Sequence, residues 1–511
     1  MRRALVAAVL ALCACATTAE QQKPAEPEQK VEPAAKPAPA EAKTAQPPTD
    51  IEPWRAQPPK PGPSPELVIP TFQKAVLPNG LTVLVSERHD LPLVSLAVAF
   101  SAGTAQDPEG KAGLADLTYR LLLEGAGKRD AIALEEAFSD LGGQPYTQTR
   151  ADGALVGTRV LTRNAPRALE LLSDIALHPQ MKQAGFELKK KQMLDTLAQL
   201  AGDPTWLAQW AFAQELYGTN HPYGQIGSGT PESVSALTLK DARDFWAKWS
   251  GPKGAALVVT GDVTLDQAKQ WAAKYFGKWK GKAARPPVPP AVQPDATRQL
   301  VLVPKAGLVQ TIVAMGRVAI PSGHPDEPAL QLASTIFGGF FGSRLNMNLR
   351  EAKGYSYGAY AYVDPRRGEG PLVASSKVRA DVTGPALQVF LEELKGLQVR
   401  PITDDELSAA REGLIQSLPG SFATVEDLTR AAAGLYWEDK ALDHYQQLVT
   451  KLEAATSAQV QQVAEKYFNP VLLDVVLVGD PDLVTKQVQP LGLGELVVRQ
   501  PPKGAAPAAK K

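Results

Sequence analysis

The stretch KWSGPKGAALVVTGD, residues 248–262, decides the fold, because a variant of it returns as KYFNPVLLDVVLVGD at residues 466–480. The two prolines are 218 residues apart, and so are the two terminal aspartates. ALEL at residues 168–171 and ALQV at residues 386–389 keep the same separation. A single offset over such a length does not arise readily by chance, so the sequence predicts one domain used twice.

Each copy mixes strands and helices. In the first copy, alternating or continuous apolar runs predict strands at 81–85, 93–100, 144–150, 154–161 and 255–260. Apolar residues at helical spacing predict helices at about 112–124, 130–141, 164–177, 183–200, 204–217 and 238–249. Strands in hairpins with helices grouped between them imply an α+β fold, a largely antiparallel sheet covered by helices. The second copy repeats this order.

The two domains are predicted at residues 71–284 and 298–498. The segment between them, 285–297, is rich in proline and is predicted to be a linker, because consecutive prolines remove hydrogen-bond donors and end regular structure. Residues 16–70 and 499–511 are dominated by Pro, Ala, Lys and charged or amide side chains. Such composition cannot bury enough apolar surface to fold, so a disordered tether and a disordered tail are expected.

Residues 1–15 are predicted to be a lipoprotein signal peptide. Two arginines precede an apolar run that is too short to span a bilayer. LCAC at residues 12–15 resembles a bacterial lipobox, in which cleavage before Cys15 leaves its thiol to be acylated. Ala16 after this cysteine favours the outer membrane. We therefore expect a lipid-anchored protein of the bacterial cell envelope that faces the periplasm; an ordinary cleaved signal peptide is the alternative.

Composition excludes several classes of site and partner. The chain has 54 basic and 54 acidic residues, so no clustered basic surface for a nucleic acid is indicated. Both cysteines lie in the signal segment, which leaves the folded body without disulfides or thiolate metal ligands. Its five histidines lie far apart in the sequence. No nucleophile elbow or phosphate loop is present.

A helix with the sequence GLADLTYR at residues 113–120 carries the most informative pattern. It follows PNG at residues 78–80, an apolar strand and the segment 110–112. This arrangement resembles the insulinase/pitrilysin family of zinc metallopeptidases. In that family the helix continues as His-x-x-Glu-His, where two histidines on one helical face bind zinc and the glutamate activates water.

Here those positions are Asp116, Tyr119 and Arg120. The family's third ligand would fall near Asp195 or Thr196. Zinc needs neutral imidazoles and anionic ligands, whereas arginine is permanently cationic. The resemblance therefore implies a degenerate site with no metal in this chain and no activity of the chain alone. Asp116 and Arg120 have the spacing of a helix-stabilising ion pair.

The second copy retains residues that the resemblance makes functional. LREAKGYSY at residues 349–357 contains Arg350 and, seven residues later, Tyr357. In the family an arginine and a tyrosine at this spacing bind substrate and stabilise the transition state. From the residues alone, the favoured interpretation is a cation at a helix end and a strand tyrosine. The segment 337–342, rich in Gly and Phe, resembles the family's glycine-rich loop. The strand 370–379 is expected to offer an edge to an extended peptide.

Some bacterial members of this family divide the work between two chains. One chain holds the zinc motif, and the other lacks it and supplies the arginine and tyrosine. The resemblance implies that this chain is the second kind: a non-catalytic subunit that binds peptide, pairs with a zinc-bearing paralogue and needs no cofactor of its own. The alternative is a non-proteolytic structural or peptide-binding lipoprotein of the same fold.

Overall fold

The computed structural model describes residues 67–293 and 297–502. The predicted signal peptide with Cys15, nearly all of the predicted tether and residues 503–511 lie outside the described residues. Within the described ranges, no helix combines the length and the apolar character needed to cross a membrane.

The first half contains eight strands and eight helices among the described residues. The strands are β1 Gln73–Val76, β2 Thr82–Glu87, β3 Leu93–Phe100, β4 Gly125–Ala126, β5 Arg129–Asp130, β6 Tyr146–Arg150, β7 Gly153–Leu161 and β8 Ala255–Gly261. The helices are α1 Leu114–Leu121, α2 Ala131–Ser139, α3 Ala165–Leu177, α4 Gln183–Leu200, α5 Pro204–Tyr217, α6 Pro231–Ala236, α7 Leu239–Trp249 and α8 Leu265–Phe276. Six strands form one sheet in the order β1-β2-β8-β3-β7-β6. Neighbouring strands in this sheet are antiparallel, except that β2 and β8 are parallel to each other.

The second half repeats this architecture. Its strands are β9 Leu300–Pro304, β10 Gln310–Ile320, β11 Ser356–Val363, β12 Gly370–Arg379, β13 Asp474–Gly479 and β14 Leu496–Val498. Its helices are α9 Glu327–Ser334, α10 Arg344–Asn346, α11 Thr383–Val399, α12 Asp404–Ser417, α13 Val425–Trp437, α14 His444–Ala454, α15 Ser457–Tyr467 and α16 Pro481–Val488. Two π-helical turns, Thr335–Gly339 and Met347–Ala352, flank α10.

The two sheets share one strand order, which confirms the predicted α+β fold with two homologous domains. The second sheet runs β11-β12-β10-β13-β9-β14. Its first five strands correspond in position to β6, β7, β3, β8 and β2 of the first sheet. The predicted strands and long helices of the first half are present with small shifts at their ends, while β1, β4, β5 and α6 were not predicted.

The expected edge position of Gly370–Arg379 is wrong. This strand, β12, pairs with β10 on one side and with β11 on the other. Because β11 and β12 form a hairpin, β11 takes the outer position and its partner becomes internal. Order also extends into both predicted disordered segments. Arg499 donates to Ala211 and Glu215, Pro502 is buried, and the Pro70 carbonyl accepts from Gln446.

In each half, one helix packs against the sheet of the other half. Helix α5 packs on β10 and β13 of the second sheet, and α13 packs on β3 and β8 of the first. The two helices occupy equivalent positions in the repeat. Helix α13 forms a core cluster of its own with the first sheet, which includes the buried residues Leu84, Ala97, Leu155, Ala256, Leu428, Ala432 and Trp437. The halves are therefore joined through apolar cores and not through a surface contact.

Hydrogen bonds and close packing fix this exchange. The Trp437 indole N–H donates to the Phe100 carbonyl at 2.9 Å, and the Thr260 hydroxyl donates to the Val425 carbonyl at 2.6 Å. A Cβ atom on Gly153 would lie 2.2 Å from the Trp437 Nε1 atom. No side chain fits there, so Gly153 is what allows the Trp437 ring to lie against β7.

Gly153→Ala is expected to lower the free energy of unfolding by about 1–3 kcal/mol, because the added methyl group overpacks the contact with Trp437. Gly434→Ala is the matched control on α13, where a Cβ atom would meet open space. It should raise helix stability by about 0.5–1 kcal/mol. Urea unfolding of both variants measures the difference. Equal effects of the two substitutions would contradict the proposed packing.

Candidate functional site

Helix α1, which carries the degenerate zinc-motif positions, is fixed at its start by a buried carboxylate. The two Asp107 side-chain oxygens accept the backbone N–H groups of Gly113 and Ala115 at 2.9 and 2.7 Å. These groups have no partner within the helix, and a carboxylate near a helix N-terminus is favoured by the helix dipole. Burial raises the pKa of Asp107. Asp107 was not predicted, because it lies six residues before the N-cap Gly113 and the N-cap signal is read from the residue that directly precedes a helix.

Tyr119 belongs to the core. Its side chain is 1% exposed, and its hydroxyl donates to the Ala102 carbonyl at 2.7 Å. The ring packs against Phe100, with 5.4 Å between centroids, and against Trp246 at 6.4 Å. Burial raises the pKa of this phenol above its ordinary value of 10.0. A neutral, buried phenol cannot replace the carboxylate base of a zinc peptidase.

Asp116 and Arg120 form the ion pair that their spacing predicts. The Arg120 Nε atom lies 2.8 Å from an Asp116 carboxylate oxygen. The candidates for a third ligand are engaged elsewhere, since Asp195 pairs with Lys191 on an exposed face and the Thr196 hydroxyl donates to the Gln192 carbonyl. In the described parts of the chain, no group of three or more His, Cys, Asp or Glu residues could hold a metal. These residues do not fit a zinc ion, because the cationic Arg120 occupies a ligand position.

A cavity of about 760 Å³ lies between the two halves and includes Asp116 and Arg120 in its wall. The first half contributes α1, β6 and α5, and the second half contributes β10, β11 and β12. Strand β6 is the last strand of its sheet, and no strand of the described chain pairs with its outer edge. Residues 147–152 all line the cavity. The wall therefore includes a sheet edge whose outer backbone groups are available to an extended chain.

The loop after β11 crosses to the first half and closes one end of this cavity. Asp152 accepts the Tyr223 hydroxyl at 2.8 Å and the Arg367 backbone N–H at 3.2 Å. Burial raises the pKa of Asp152. Arg366 bonds to Asp364 at 2.9 Å, and its guanidinium carbon lies 5.0 Å from the centre of the Tyr223 ring. The polar groups of this wall are thus largely satisfied by one another.

Arg350 lies outside the cavity, on the π-helical turn that follows α10. Its guanidinium carbon lies 4.8 Å from the centre of the Phe341 ring, and its Nε atom is 3.3 Å from the Glu351 carboxylate. The side chain is roughly half exposed. Arg350 is not among the described residues that line the cavity.

Tyr357 is held outward by a β-bulge. The four residues of β11 from Ser356 to Ala359 lie opposite the three residues of β12 from Val378 to Ser376, so β11 carries one extra residue. The Ser356 hydroxyl oxygen accepts the Gly358 N–H at 3.0 Å and fixes this bulge. A bulge re-aims a side chain, and Tyr357 is 90% exposed. It too is absent from the described cavity wall, so the structure separates Arg350 and Tyr357 from Asp116 and Arg120.

Two side chains hold the segment that carries Arg350 in place. The Asn346 amide donates to the Ala359 carbonyl and accepts the Ala359 N–H, at 2.8 and 2.7 Å, which ties α10 to β11. Arg344 binds both carboxylate oxygens of Glu406, at 2.6 and 2.9 Å. This arginine lowers the pKa of Glu406 from 4.5 to about 2.

Comparison with known proteins shows the family. Residues 82–217 match the model of the insulinase family, peptidase family M16, and residues 236–414 match the model described as peptidase M16 inactive domain. The chain belongs to the insulinase family of peptidases. An uncharacterized zinc protease of Mycobacterium leprae is 25% identical over 402 residues, which are 78% of this chain and 89% of that protein.

Two further relatives carry descriptions of inactivity. A non-peptidase homolog of Helicobacter pylori is 23% identical over 382 residues, which are 74% of this chain and 87% of that protein. A solved peptidase M16 inactive domain from Pseudomonas fluorescens matches with a TM-score of 0.72 and 26% identity, covering 80% of this chain and 98% of that chain. With the altered zinc helix, these likenesses make this chain an inactive-type homologue within the insulinase family.

Arg344→Met is expected to lower the free energy of unfolding by about 1–3 kcal/mol at pH 7, because Glu406 loses its charged partner. The pKa of Glu406 lies below its ordinary value, so the pair stabilises the fold above about pH 4.5, and that contribution is lost as the pH falls towards 2. The difference in the free energy of unfolding between Arg344→Met and the parent chain should therefore become smaller from pH 5 to pH 3. Denaturant unfolding at each pH measures it.

Glu412→Gln is the control, since Glu412 lies on α12 together with Glu406. Its free energy of unfolding is expected to differ from that of the parent by no more than about 0.5 kcal/mol at every pH. A loss in Arg344→Met that stays constant from pH 7 to pH 3 would show that the Glu406 charge is not the source of the stabilisation.

Proposed function

We propose that this chain is a non-catalytic, peptide-binding subunit that pairs with a zinc-bearing paralogue and contributes Arg350 and Tyr357 to a shared active site. The observation that carries the proposal is the exposure of Tyr357, which the β-bulge turns outward, in a chain whose own α1 has lost the metal ligands. An exposed Tyr357 and a missing metal site are consistent with each other if Tyr357 acts at a metal that is bound by another chain.

The altered helix supports a subunit without its own hydrolysis. The ion pair of Asp116 with Arg120 and the core packing of Tyr119 keep the helix folded while excluding both the metal and the base. The similarity of this chain to the peptidase M16 inactive domain from Pseudomonas fluorescens and to the non-peptidase homolog of Helicobacter pylori also supports a subunit that does not hydrolyse peptides by itself. The fold is kept although the metal ligands are replaced, which favours a role as a binding subunit.

The cavity supports peptide binding. An extended peptide that lies along the outer edge of β6 would form main-chain hydrogen bonds as an added strand, a recurring mode of peptide recognition. Tyr360 and Tyr362 of β11 lie in the opposing wall with about half of each side chain exposed. Their rings are stacked with 6.2 Å between centroids and offer apolar contact to peptide side chains.

Arg350 and Tyr357 have the chemistry that a peptidase site requires. A guanidinium can bind a peptide carbonyl or carboxylate, and a phenol can donate to the oxyanion that forms when water attacks. Phe341 and Met347 near them are also exposed. Aromatic, methionine and arginine side chains are enriched in protein interfaces, so this surface suits contact with a second subunit.

The activity of the purified pair tests the proposal. The chain alone should cleave no peptide, and its complex with a His-x-x-Glu-His paralogue should cleave. In that complex Tyr357→Phe should lower kcat by about 10²–10³, the effect of losing one oxyanion donor. Arg350→Ala should raise KM and lower kcat. Tyr275→Phe and Arg163→Ala, which lie outside this surface, are the controls and should leave both constants unchanged.

Unchanged kinetics in Tyr357→Phe and Arg350→Ala would refute the shared site. If the chain then still bound peptides, the non-proteolytic peptide-binding role would be the correct function.

We further propose that the chain is anchored by a lipid on Cys15 at the outer membrane and faces the periplasm. The proposal rests on the LCAC pattern at residues 12–15 and on Ala16. Cys15→Ala should move the protein from the membrane fraction to the soluble periplasmic fraction. Retention of the variant in the outer membrane would contradict the lipid anchor.

A further inference from the structure

We infer that the cavity selects peptides that carry a carboxylate, and that Arg150 is the residue that recognises it. The inference rests on the proposed binding of peptides along β6 and adds the chemical class of peptide that is bound.

The charges in the cavity wall are almost all paired. Its acidic residues each have a partner: Asp116 pairs with Arg120 at 2.8 Å, Asp364 with Arg366 at 2.9 Å and Glu438 with Lys440 at 2.8 Å, while Asp152 accepts the Tyr223 hydroxyl. Each carboxylate of the described wall therefore already has an ion-pair or hydrogen-bond partner. Two of its three arginines are used in these pairs.

Arg150 is the third, and its guanidinium has no acceptor among the described residues. Its side chain is exposed at the cavity wall. An arginine cannot lose its charge in a protein, so this cation remains at every accessible pH. In a partly enclosed site an unpaired charge acts more strongly on a ligand than it would in open water. Arg150 is therefore the one charged side chain of the described wall that has no hydrogen-bond or ion-pair partner.

The position of Arg150 connects this charge to the proposed peptide. Arg150 is the last residue of β6, and Gln148 lies on the same face of the strand two residues earlier. A Cβ atom on Gly103 would lie 2.1 Å from the Arg150 carbonyl oxygen, and the Ala105 N–H donates to the Ala151 carbonyl at 3.0 Å. These contacts hold the backbone of Arg150, so its side chain starts from a fixed point at the end of the binding edge.

A carboxylate is the group that matches this site. Guanidinium and carboxylate form two parallel charge-assisted hydrogen bonds, which are shorter and stronger than neutral ones. The carboxylate can belong to an Asp or Glu side chain within the peptide or to the peptide's own carboxyl terminus. Both sources present the same chemistry to Arg150, and the experiment separates them.

The test uses the full chain and three synthetic peptides, with binding measured by calorimetry. The first is acetyl-Ala-Thr-Ala-Leu-Glu-Leu-Thr-Ala-amide, the second has Gln in place of Glu, and the third is the Gln peptide with a free carboxyl terminus. We expect at least one of the two carboxylate-bearing peptides to bind about tenfold more tightly than the neutral one, which is about 1.4 kcal/mol. A preference for the first identifies a side-chain carboxylate, and a preference for the third identifies the terminal one.

Arg150→Gln should abolish this preference and leave the neutral peptide's affinity within about twofold, whereas Arg150→Lys should keep part of it. Arg163→Gln, an exposed arginine outside the cavity, should keep the full preference. Equal binding of all three peptides by the parent chain, or a preference that survives Arg150→Gln, overturns the role of Arg150 but leaves the proposed peptide binding intact. Failure of all three peptides to bind overturns both.

Discussion

The structure depends on the reciprocal exchange of α5 and α13 between the two halves. Each helix is covered by the sheet of the opposite domain, so neither sheet has a complete apolar core without the other half of the chain. Burial of apolar area is the main favourable contribution to folding, and here much of it lies between the repeats. The cavity with its β6 edge lies between the two halves that this exchange joins, and α5 is part of its wall.

The same constraint explains why the altered zinc helix persists. Helix α1 packs on α4 and α7 and places Tyr119 in the core. Loss of the helix would therefore expose apolar core residues of the first domain to solvent. Asp107 at its start and the Asp116–Arg120 pair on its surface stabilise it without metal. What remains is a folded helix with a permanently charged side chain at a ligand position, while Arg350 and Tyr357 lie outside the cavity that this helix lines.

The repeat, the fold class and most element positions could be predicted because they follow from local patterns. The 218-residue offset, the apolar periodicity and the i, i+4 spacing of Asp116 and Arg120 can all be read directly from the sequence. The burial of Tyr119 could not be predicted, since it depends on Phe100 and Trp246 from distant segments. The prediction that Gly370–Arg379 forms a sheet edge was wrong for a similar reason. The order of two strands in a hairpin does not indicate which of them lies at the edge of the sheet. Arg150 was missed because its significance is the absence of a partner, which only the assembled cavity reveals.

The central claim is that Tyr357 reaches a metal site on a second chain. The most direct measurement places a photo-crosslinking phenylalanine analogue at position 357 in the complex with a His-x-x-Glu-His paralogue and maps the crosslink by mass spectrometry. The account predicts a crosslink to the segment around the partner's zinc helix. Formation of the complex with crosslinks only to this chain, or to a partner surface remote from its zinc helix, would contradict it.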